Sequence, residues 1–207
     1  MTFIGLTQRV EYIESHKETR DCLDQDWHSL AKKNKFSSLP IPNDPDGVRA
    51  ILKNISLDGV ILTGGNDISS IPNSKNTSML REETENYLMD YCKKNNKPLL
   101  GVCRGFQMMN LYFGGSLSKV KGHANTQNEI ILSRNEFVDE EVIRVNSYHN
   151  FGIKEDDLSK DLEAFARSSD GTIEAAFHRD LNWIGIMWHP ERNESKIDSQ
   201  IFKYLFN

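Results

Sequence analysis

Cys103 is the residue of this sequence with the clearest potential for chemistry. It follows a short apolar run, and Gly101 and Gly105 flank it in the G-x-nucleophile-x-G spacing of a strand-to-helix elbow. Small neighbours permit the sharp turn that holds a nucleophile clear of the backbone. A thiol at a helix amino terminus also meets the positive end of the helix dipole, which favours the thiolate. We therefore interpret Cys103 as a nucleophile, and we expect Cys22 and Cys92 to be small core residues.

A thiolate nucleophile needs a base and an oxyanion hole. An apolar strand pattern delivers His189 to its end, and Glu191 follows across a proline. A strand-end histidine alone is more often a packing or capping residue, but together with the elbow this pair predicts a triad of Cys103, His189 and Glu191. The pair Gly64-Gly65 ends another predicted strand, where main-chain N–H groups can converge on an anion. An ordinary tight turn is the alternative.

Composition limits the class of protein. The 207 residues fit one domain, residues 1–207, and a net charge of −5 argues against general binding to nucleic acid, although a local basic pocket for phosphate stays open. No apolar run approaches the ~20 residues that span a bilayer, so we expect no membrane partner. The first residues enter a strand without the basic and apolar regions of a signal peptide. Three scattered cysteines favour a reducing cytoplasm over a disulfide framework or a zinc site.

The elements that must position these side chains follow an alternating pattern. Strands are predicted at residues 3–7, 36–42, 58–63 and 99–102, and helices within 19–33, from 44, over 81–95 and from 104 to 114. Later strands are predicted at 129–132, 141–145, 164–167, 173–177 and 183–187, before a closing helix over 197–206. The expected fold class is α/β: an open, three-layer, mostly parallel sheet with helices on both faces and an antiparallel edge formed by the later strands.

Residues 8–17 are predicted to form a loop at the carboxyl edge of the sheet. Ligands bind at that edge in open α/β folds, so Gln8, Arg9 and Tyr12 are candidate substrate contacts. Solvated loop residues are the alternative for each of them.

Six motifs in register resemble those of the class I glutamine amidotransferase-like γ-glutamyl hydrolases, over nearly the whole chain from residue 3 to residue 206. The motifs are Leu62-Thr63-Gly64-Gly65-x-Asp67-Ile68, Arg81-Glu82-x-x-Glu85, Pro98-Leu99-Leu100-Gly101-Val102-Cys103-Arg104-Gly105-x-Gln107-x-x-Asn110, Gly114-Gly115-x-Leu117, Val145-Asn146-Ser147-x-His149 and His189-Pro190-Glu191. The resemblance implies a cysteine hydrolase that cleaves a γ-glutamyl amide and releases glutamate.

The resemblance also implies roles for single residues. Cys103 would attack the γ-carbonyl to form a γ-glutamyl thioester, and His189, oriented by Glu191, would protonate the departing nitrogen and then activate water. The main-chain N–H groups of Gly65 and Arg104 would form the oxyanion hole. The implied holders of the glutamyl α-amino and α-carboxylate groups are Gln107, Ser147 and Tyr148.

Two further histidines follow the elbow in sequence. The family often has a second histidine or a glutamine after its Ser-x-His motif, whereas this chain reads Tyr148-His149-Asn150, which leaves the leaving-group side open. His149 is a candidate for the substrate pocket. His123 could contact a leaving group or phosphate, or it could be a solvated loop histidine. Neither has metal-ligand spacing in the sequence, so we expect an enzyme with no metal and no cofactor.

The leaving group is the finer question. The pattern Arg9-x-Glu11-Tyr12 and the segment 21–27 resemble the branch of the family that hydrolyses γ-glutamyl-CDP-amidate to cytidine diphosphoramidate in capsule phosphoramidate synthesis. The partner would then be a small-molecule nucleotide diphosphate conjugate, met by Arg9, Arg104, Lys121 or His123. The alternatives are a γ-glutamyl-γ-aminobutyrate-type hydrolase, a non-catalytic binding module and a stand-alone glutaminase subunit. The sequence leaves the oligomeric state open.

Overall fold

This computed structural model describes residues 2–133 and 137–206. The described residues contain thirteen strands and five α-helices. The strands are β1 (Phe3–Thr7), β2 (Arg9–Ile13), β3 (Glu18–Cys22), β4 (Ser37–Ile41), β5 (Gly59–Leu62), β6 (Leu99–Val102), β7 (Ser118–Lys119), β8 (Ala124–Leu132), β9 (Val142–Tyr148), β10 (Phe151–Gly152), β11 (Leu162–Ser168), β12 (Ile173–His178) and β13 (Trp183–Ile186). The helices are α1 (Asp26–Lys33), α2 (Pro45–Leu52), α3 (Met79–Lys94), α4 (Arg104–Tyr112) and α5 (Lys196–Phe206).

Nine strands form one sheet in the order β4-β1-β5-β6-β13-β12-β11-β8-β9. The first five are mutually parallel, and the rest of the sheet is antiparallel. This arrangement confirms the predicted fold class. The assignment of residues 183–187 to the antiparallel edge was wrong, because β13 pairs in parallel with β6 and only its other side meets the antiparallel strand β12.

Helices cover both faces of the parallel part of the sheet. On one face, α1 and α5 contribute Trp27 and Phe202 to a core cluster with the sheet. On the other face, α2, α3 and α4 contribute Val48, Leu88 and Phe106. Strands β5 and β6 are wholly buried between these layers, as their continuous apolar runs predict. No helix of residues 2–133 and 137–206 is long and apolar enough to cross a bilayer.

A β-hairpin replaces the predicted loop over residues 8–17 and the start of the predicted helix over 19–33. Strands β2 and β3 pair antiparallel from Arg9 with Cys22 to Ile13 with Glu18, and α1 begins only at Asp26. Both strands are largely exposed, so they lack the apolar run that marks a buried strand. Two hydrogen bonds hold the hairpin to the sheet edge: the Val10 N–H donates to the side-chain oxygen of Asn66 at 2.8 Å, and the Asn66 amide donates to the Val10 carbonyl at 2.9 Å.

Parallel pairing brings the carboxyl ends of β1, β5, β6 and β13 to one edge of the sheet. The segments that leave these ends carry Arg9, Gly65, Cys103 and His189, respectively. Crevices outside the carboxyl ends of such strands bind ligands in open α/β folds. The fold therefore gathers residues that are far apart in sequence around one site.

Candidate active site

Cys103 occupies a strained elbow between β6 and α4. Its φ of 51° and ψ of −105° lie where residues other than glycine are rare, and its N–H donates to the carbonyl of Ile186 at 2.7 Å. A Cβ on Gly105 would lie inside contact distance of the Leu62 carbonyl, and a Cβ on Gly101 would lie 2.8 Å from the carbonyl carbon of Gly105. The glycine frame is thus required because the first turn of α4 packs directly on neighbouring strands.

The end of β13 positions His189 beside this elbow. Asn146, in β9, accepts a hydrogen bond from the His189 N–H at 2.8 Å and donates to its carbonyl at 2.9 Å. The imidazole Nδ1 donates to Oε1 of Glu191 at 2.7 Å, and both side chains are buried. Nε2 is therefore left for the Cys103 thiol, which is in hydrogen-bonding reach. The structure thus brings Cys103, His189 and Glu191 together as the sequence predicts.

The electrostatics of this group favour the protonated form of His189. Burial disfavours the imidazolium, but charge interactions and hydrogen bonds with Cys103 and Glu191 outweigh burial and raise the pKa of His189 to about 10. The imidazole is therefore protonated at neutral pH. In this state the histidine can deliver a proton to a leaving group.

The loop after β5 faces the thiol. Gly65 has a φ of 91°, and a Cβ on Gly64 would lie 2.6 Å from Cε1 of His189, so both glycines are needed for a close approach of backbone to the site. Gly65 and Arg104 line one cavity with Cys103. The N–H of Arg104 belongs to the first turn of α4, where no intrahelical acceptor exists. Both residues thus line the cavity beside Cys103, and the role of their N–H groups as an oxyanion hole stays a prediction.

A buried ion-pair chain fixes that loop to the start of α4. The guanidinium of Arg81 donates to the carbonyls of Thr63 and Gly64 at 2.7 and 3.0 Å and to Oε1 of Glu85 at 2.8 Å. The other carboxylate oxygen of Glu85 accepts from the guanidinium of Arg104. The Arg104 side chain is 2% exposed, so the expectation that it reaches a substrate phosphate was wrong. It holds the helix instead.

The Cys103 thiol lies between two lobes of one crevice. The first, which we term the Gln107 lobe, has a volume of about 390 Å³. Its wall includes Gln107, His149 and the backbone segment through Phe151, whose carbonyl accepts from the Gln107 amide at 2.8 Å. His149 thus lies at the cavity, where the sequence placed it.

The second lobe, which we term the His189 lobe, has a volume of about 130 Å³. It adjoins the other side of the thiol, and His189 lines this lobe but is absent from the wall of the Gln107 lobe. Its remaining wall consists of Arg9, Cys22, Leu23, Asp24, Trp27, Thr63, Gly64, Gly65, Tyr148, Glu191 and Arg192. The prediction that Cys22 is a core residue was wrong, because the hairpin carries it to this lobe, whereas Cys92 is fully buried as predicted.

Three other candidates lie in different surroundings. Tyr148 lines both lobes, and its ring meets the His189 ring edge-on. Ser147 is 1% exposed, and its hydroxyl donates to the carbonyl of His123 at 2.7 Å rather than facing either lobe. His123 is 3% exposed, which contradicts a solvated loop histidine, and it lines a separate cavity with Lys121. Neither His123 nor Lys121 therefore faces the thiol.

Gln8 and Tyr12 also lie outside the two lobes. Gln8 donates its side-chain amide to the carbonyl of Ile41 at 3.0 Å, and Tyr12 is exposed on the hairpin. Of the three contacts predicted at this edge, the described lobes include Arg9 alone.

The structure also reveals residues that sequence reasoning missed. Asn146 and Arg81 appear in the motifs but reveal their roles only through contacts with distant backbone. Arg192 lies over the Tyr148 ring at 4.1 Å and lines the His189 lobe. Its position directly after Glu191 was the available signal. Glu174 joins His123 and His149, so the argument that these histidines lack partner ligands was wrong.

The architecture is that of class I glutamine amidotransferases. A crystal structure of a glutamine amidotransferase from Thermotoga maritima aligns over 92% of this chain and 76% of its own, with a TM-score of 0.66 and 17% sequence identity. At that identity the likeness shows the fold. The chain itself belongs to the Peptidase C26 family, which matches residues 2–191.

Relatives of known description span most of the chain. The gamma-glutamyl-CDP-amidate hydrolase of Campylobacter jejuni is 37% identical over 207 residues, covering 99% of this chain and 98% of the relative. A component of the glutamine-hydrolyzing GMP synthase of Picrophilus torridus is 28% identical over 153 residues, covering 70% of this chain and 73% of the relative. Membership of the family and the first of these relatives identify the chain as a hydrolase of the glutamine amidotransferase-like type.

Proposed function

We propose that this protein hydrolyses a γ-glutamyl amide through a thioester on Cys103. The thiolate attacks the γ-carbonyl carbon, and the C–N bond breaks as the imidazolium of His189 gives its proton to the departing nitrogen. The neutral imidazole then takes a proton from water, whose oxygen attacks the thioester carbon and releases glutamate and the thiolate. The observation that carries this proposal is the buried contact of the thiol with an imidazole that Glu191 holds at 2.7 Å.

Main-chain N–H groups would stabilise the tetrahedral intermediate. The negative oxygen of the tetrahedral intermediate would accept from the N–H groups of Gly65 and Arg104, which line the cavity beside Cys103. One such donor contributes ~3 kcal/mol to transition-state binding. The ion-pair chain through Glu85 supports this role, because it fixes the loop and the helix start relative to each other.

The position of His189 supports an assignment of the two lobes. The departing nitrogen must lie on the side of the imidazole that protonates it, and His189 lines only the smaller lobe. The leaving group therefore occupies the His189 lobe, and the glutamyl group occupies the Gln107 lobe. In the latter, the Gln107 amide and the wall through His149 and Phe151 supply polar atoms for its α-amino and α-carboxylate groups.

The wall of the His189 lobe favours a diphosphate-bearing leaving group. Arg9 and Arg192 bring two cations to it, and charge-assisted hydrogen bonds are effective for phosphate. Arg9 is 46% exposed, so a nucleotide can extend past the lobe toward solvent. The relative from Campylobacter jejuni acts on γ-glutamyl-CDP-amidate. We propose the same substrate for this chain, with cytidine diphosphoramidate as the product, in capsular polysaccharide phosphoramidate biosynthesis.

A substrate panel tests the leaving group. Glutamate release from γ-glutamyl-CDP-amidate, γ-glutamyl-γ-aminobutyrate and glutamine is compared by kcat/KM, and the nucleotide amidate should be the best substrate. Arg9→Ala should raise KM for the nucleotide amidate at least tenfold and leave KM for glutamine within twofold. The matched control is Arg49→Ala, an exposed arginine on α2 that pairs with Asp46. Preference for either smaller amide would overturn the substrate assignment and leave the thioester chemistry standing.

A trapping experiment tests the chemistry itself. Diazo-oxo-norleucine, an electrophilic glutamine analogue, should alkylate Cys103, and peptide mass spectrometry should locate the adduct there. Cys103→Ala should show no adduct and no turnover while keeping its thermal unfolding midpoint. An unmodified Cys103 after prolonged treatment would favour a non-catalytic binding module.

A further inference from the structure

Three potential metal ligands meet behind the wall of the Gln107 lobe. His123 directly precedes β8, His149 directly follows β9, and Glu174 lies in β12. The ligand atoms of the three side chains lie within 4.8 Å of one another, and all three residues are buried. None of them takes part in the proposed proton transfers.

The spacing of these atoms suits a single small cation. Oε1 of Glu174 lies 3.1 Å from Nδ1 of His123 and 3.7 Å from Nε2 of His149. Ligands of a tetrahedral zinc ion lie ~2.0–2.2 Å from the metal, which places neighbouring ligand atoms about 3.4 Å apart. The two observed separations lie on either side of that value.

The opposite nitrogen of each imidazole has a partner of its own. Nδ1 of His149 donates to the carbonyl of Phe151 at 3.0 Å, which leaves the lone pair of Nε2 directed at Glu174. Nε2 of His123 donates to Oδ2 of Asp170 at 3.1 Å. Its Nδ1 lies 3.1 Å from Oε1 of Glu174 and 2.8 Å from the side-chain amide of Asn128. Metal-binding histidines almost always donate their second nitrogen to a carboxylate or a backbone carbonyl.

Buried polar atoms of Glu174 and His149 lack hydrogen-bond partners in this cluster. Within the described chain, neither carboxylate oxygen of Glu174 nor Nε2 of His149 has a hydrogen-bond partner, although the Glu174 side chain is 0% exposed. Burial of a carboxylate is costly unless a positive charge or hydrogen-bond donors offset its desolvation. A bound cation would satisfy all three atoms at once.

We propose that His123, His149 and Glu174 bind one first-row divalent transition-metal ion of the Zn²⁺ type. Two imidazoles and one carboxylate are donors that suit such an ion better than Mg²⁺ or Ca²⁺, which prefer oxygen ligands. The charges of Glu174 and of Asp170 behind His123 would together balance the two positive charges of the ion.

Asn128 completes the surroundings and supplies a fourth ligand. Its side-chain amide lies 2.8 Å from Nδ1 of His123. Rotation of that amide by half a turn exchanges its nitrogen and oxygen, which have nearly the same shape. The oxygen then faces the ion. His123, Asn128 and Asp170 also line the separate cavity of about 550 Å³, which provides a path for the ion from solvent.

The ion would act on the substrate cavity through the backbone. His149 begins the segment that reaches Phe151, and that segment forms a wall of the Gln107 lobe. The N–H of His149 donates to the carbonyl of His123 at 2.9 Å, so a hydrogen bond already joins the end of β9 to the start of β8. A metal shared with β12 would fix this wall to a third strand. Its role is therefore structural positioning, without contact with the reacting atoms.

Metal titration of a nucleophile-free variant tests this proposal independently of the proposed function. Cys103→Ala removes the thiolate that could itself bind a metal with His189. After chelation and dialysis, this variant should bind one equivalent of Co²⁺ with the visible d–d absorption of a tetrahedral site, and Zn²⁺ should displace it. One equivalent of Zn²⁺ should also raise the thermal unfolding midpoint.

Second substitutions in that background locate the site. Glu174→Gln and His123→Gln should each weaken Co²⁺ binding at least 100-fold and abolish the thermal shift. His28→Ala, which removes an exposed histidine outside the cluster, should leave both unchanged. The circular dichroism spectrum of each metal-free variant checks its fold, and two independent substitutions keep the test valid if one fails to fold. Absence of stoichiometric binding, or equal affinity in all variants, would overturn the proposal.

Discussion

Replacing Glu191 by glutamine should destabilise the protonated form of His189 without changing the shape of the site. Nδ1 of His189 donates to Oε1 of Glu191 at 2.7 Å, and both side chains are 5% exposed. Hydrogen bonds to charged groups contribute ~1.5–3 kcal/mol and neutral ones ~0.5–1.5 kcal/mol, so the substitution removes about 1–2 kcal/mol from the imidazolium. At 1.36 kcal/mol per unit, the pKa of His189 should fall by roughly one unit.

The kinetic consequence follows from the same free energy. In thioester hydrolysis the neutral imidazole takes a proton from water and becomes imidazolium, so a loss of 1–2 kcal/mol from the imidazolium slows that step about 5- to 30-fold. The assay is glutamate release as a function of pH, together with the pH dependence of Cys103 alkylation by iodoacetamide. The raised pKa of His189 is about 10, so its proton is held through neutral pH and lost as pH rises toward that value. In the variant, the alkaline limit of the rate should move to lower pH.

Glu194→Gln is the matched control. Glu194 lies on the same connection to α5, is equally buried at 7% exposure, and pairs with Lys33 rather than with the histidine. This variant should keep the pH profile of the parent even if its stability falls. Equal kcat and an unshifted alkylation profile in Glu191→Gln would refute the role of the carboxylate in holding the imidazolium.

Three further changes have distinct expected results. Gly105→Ala would place a methyl group against the Leu62 carbonyl, and the overpacking should cost ~3 kcal/mol or more, or about 10 °C in the thermal midpoint measured by calorimetry. Asn146→Ala removes hydrogen bonds of 2.8 and 2.9 Å to the main chain of His189; denaturant titration should show a loss of ~2 kcal/mol, and kcat should fall more than KM rises. Burial raises the pKa of Cys92 to about 12, so mass spectrometry after alkylation at pH 8 should find this thiol unmodified in the folded protein.

Features that depend on neighbours in sequence could be predicted. The elbow at Cys103 follows from an apolar strand, two glycines and a helix in one continuous segment, and the structure has each at the expected position. The pairing of His189 with Glu191 is equally local, because only Pro190 lies between them. The α/β pattern of the first half also followed from periodicity, apart from the exposed hairpin.

Features that depend on tertiary contacts could not be predicted. The sequence does not show that β13 inserts beside β6, since short strands of either orientation have similar composition. His123, His149 and Glu174 meet across three strands, and the register of β8 with β9 is what brings the two histidines together. The burial of the Arg104 guanidinium likewise depends on Glu85, which comes from a different helix. The spacing of residues along the chain does not predict such tertiary contacts.

The hairpin of β2 and β3 lies outside the nine-stranded sheet, yet it delivers Arg9 and Cys22 to the His189 lobe. Cys103, His189 and the Gln107 lobe are all built on other elements. On the proposed function, leaving-group specificity is therefore physically separable from bond cleavage. A grafted hairpin of different length or charge can change which amine is accepted as the leaving group, while Cys103, His189 and Glu191 stay in place. Laboratory evolution aimed at new γ-glutamyl conjugates should begin with these two exposed strands.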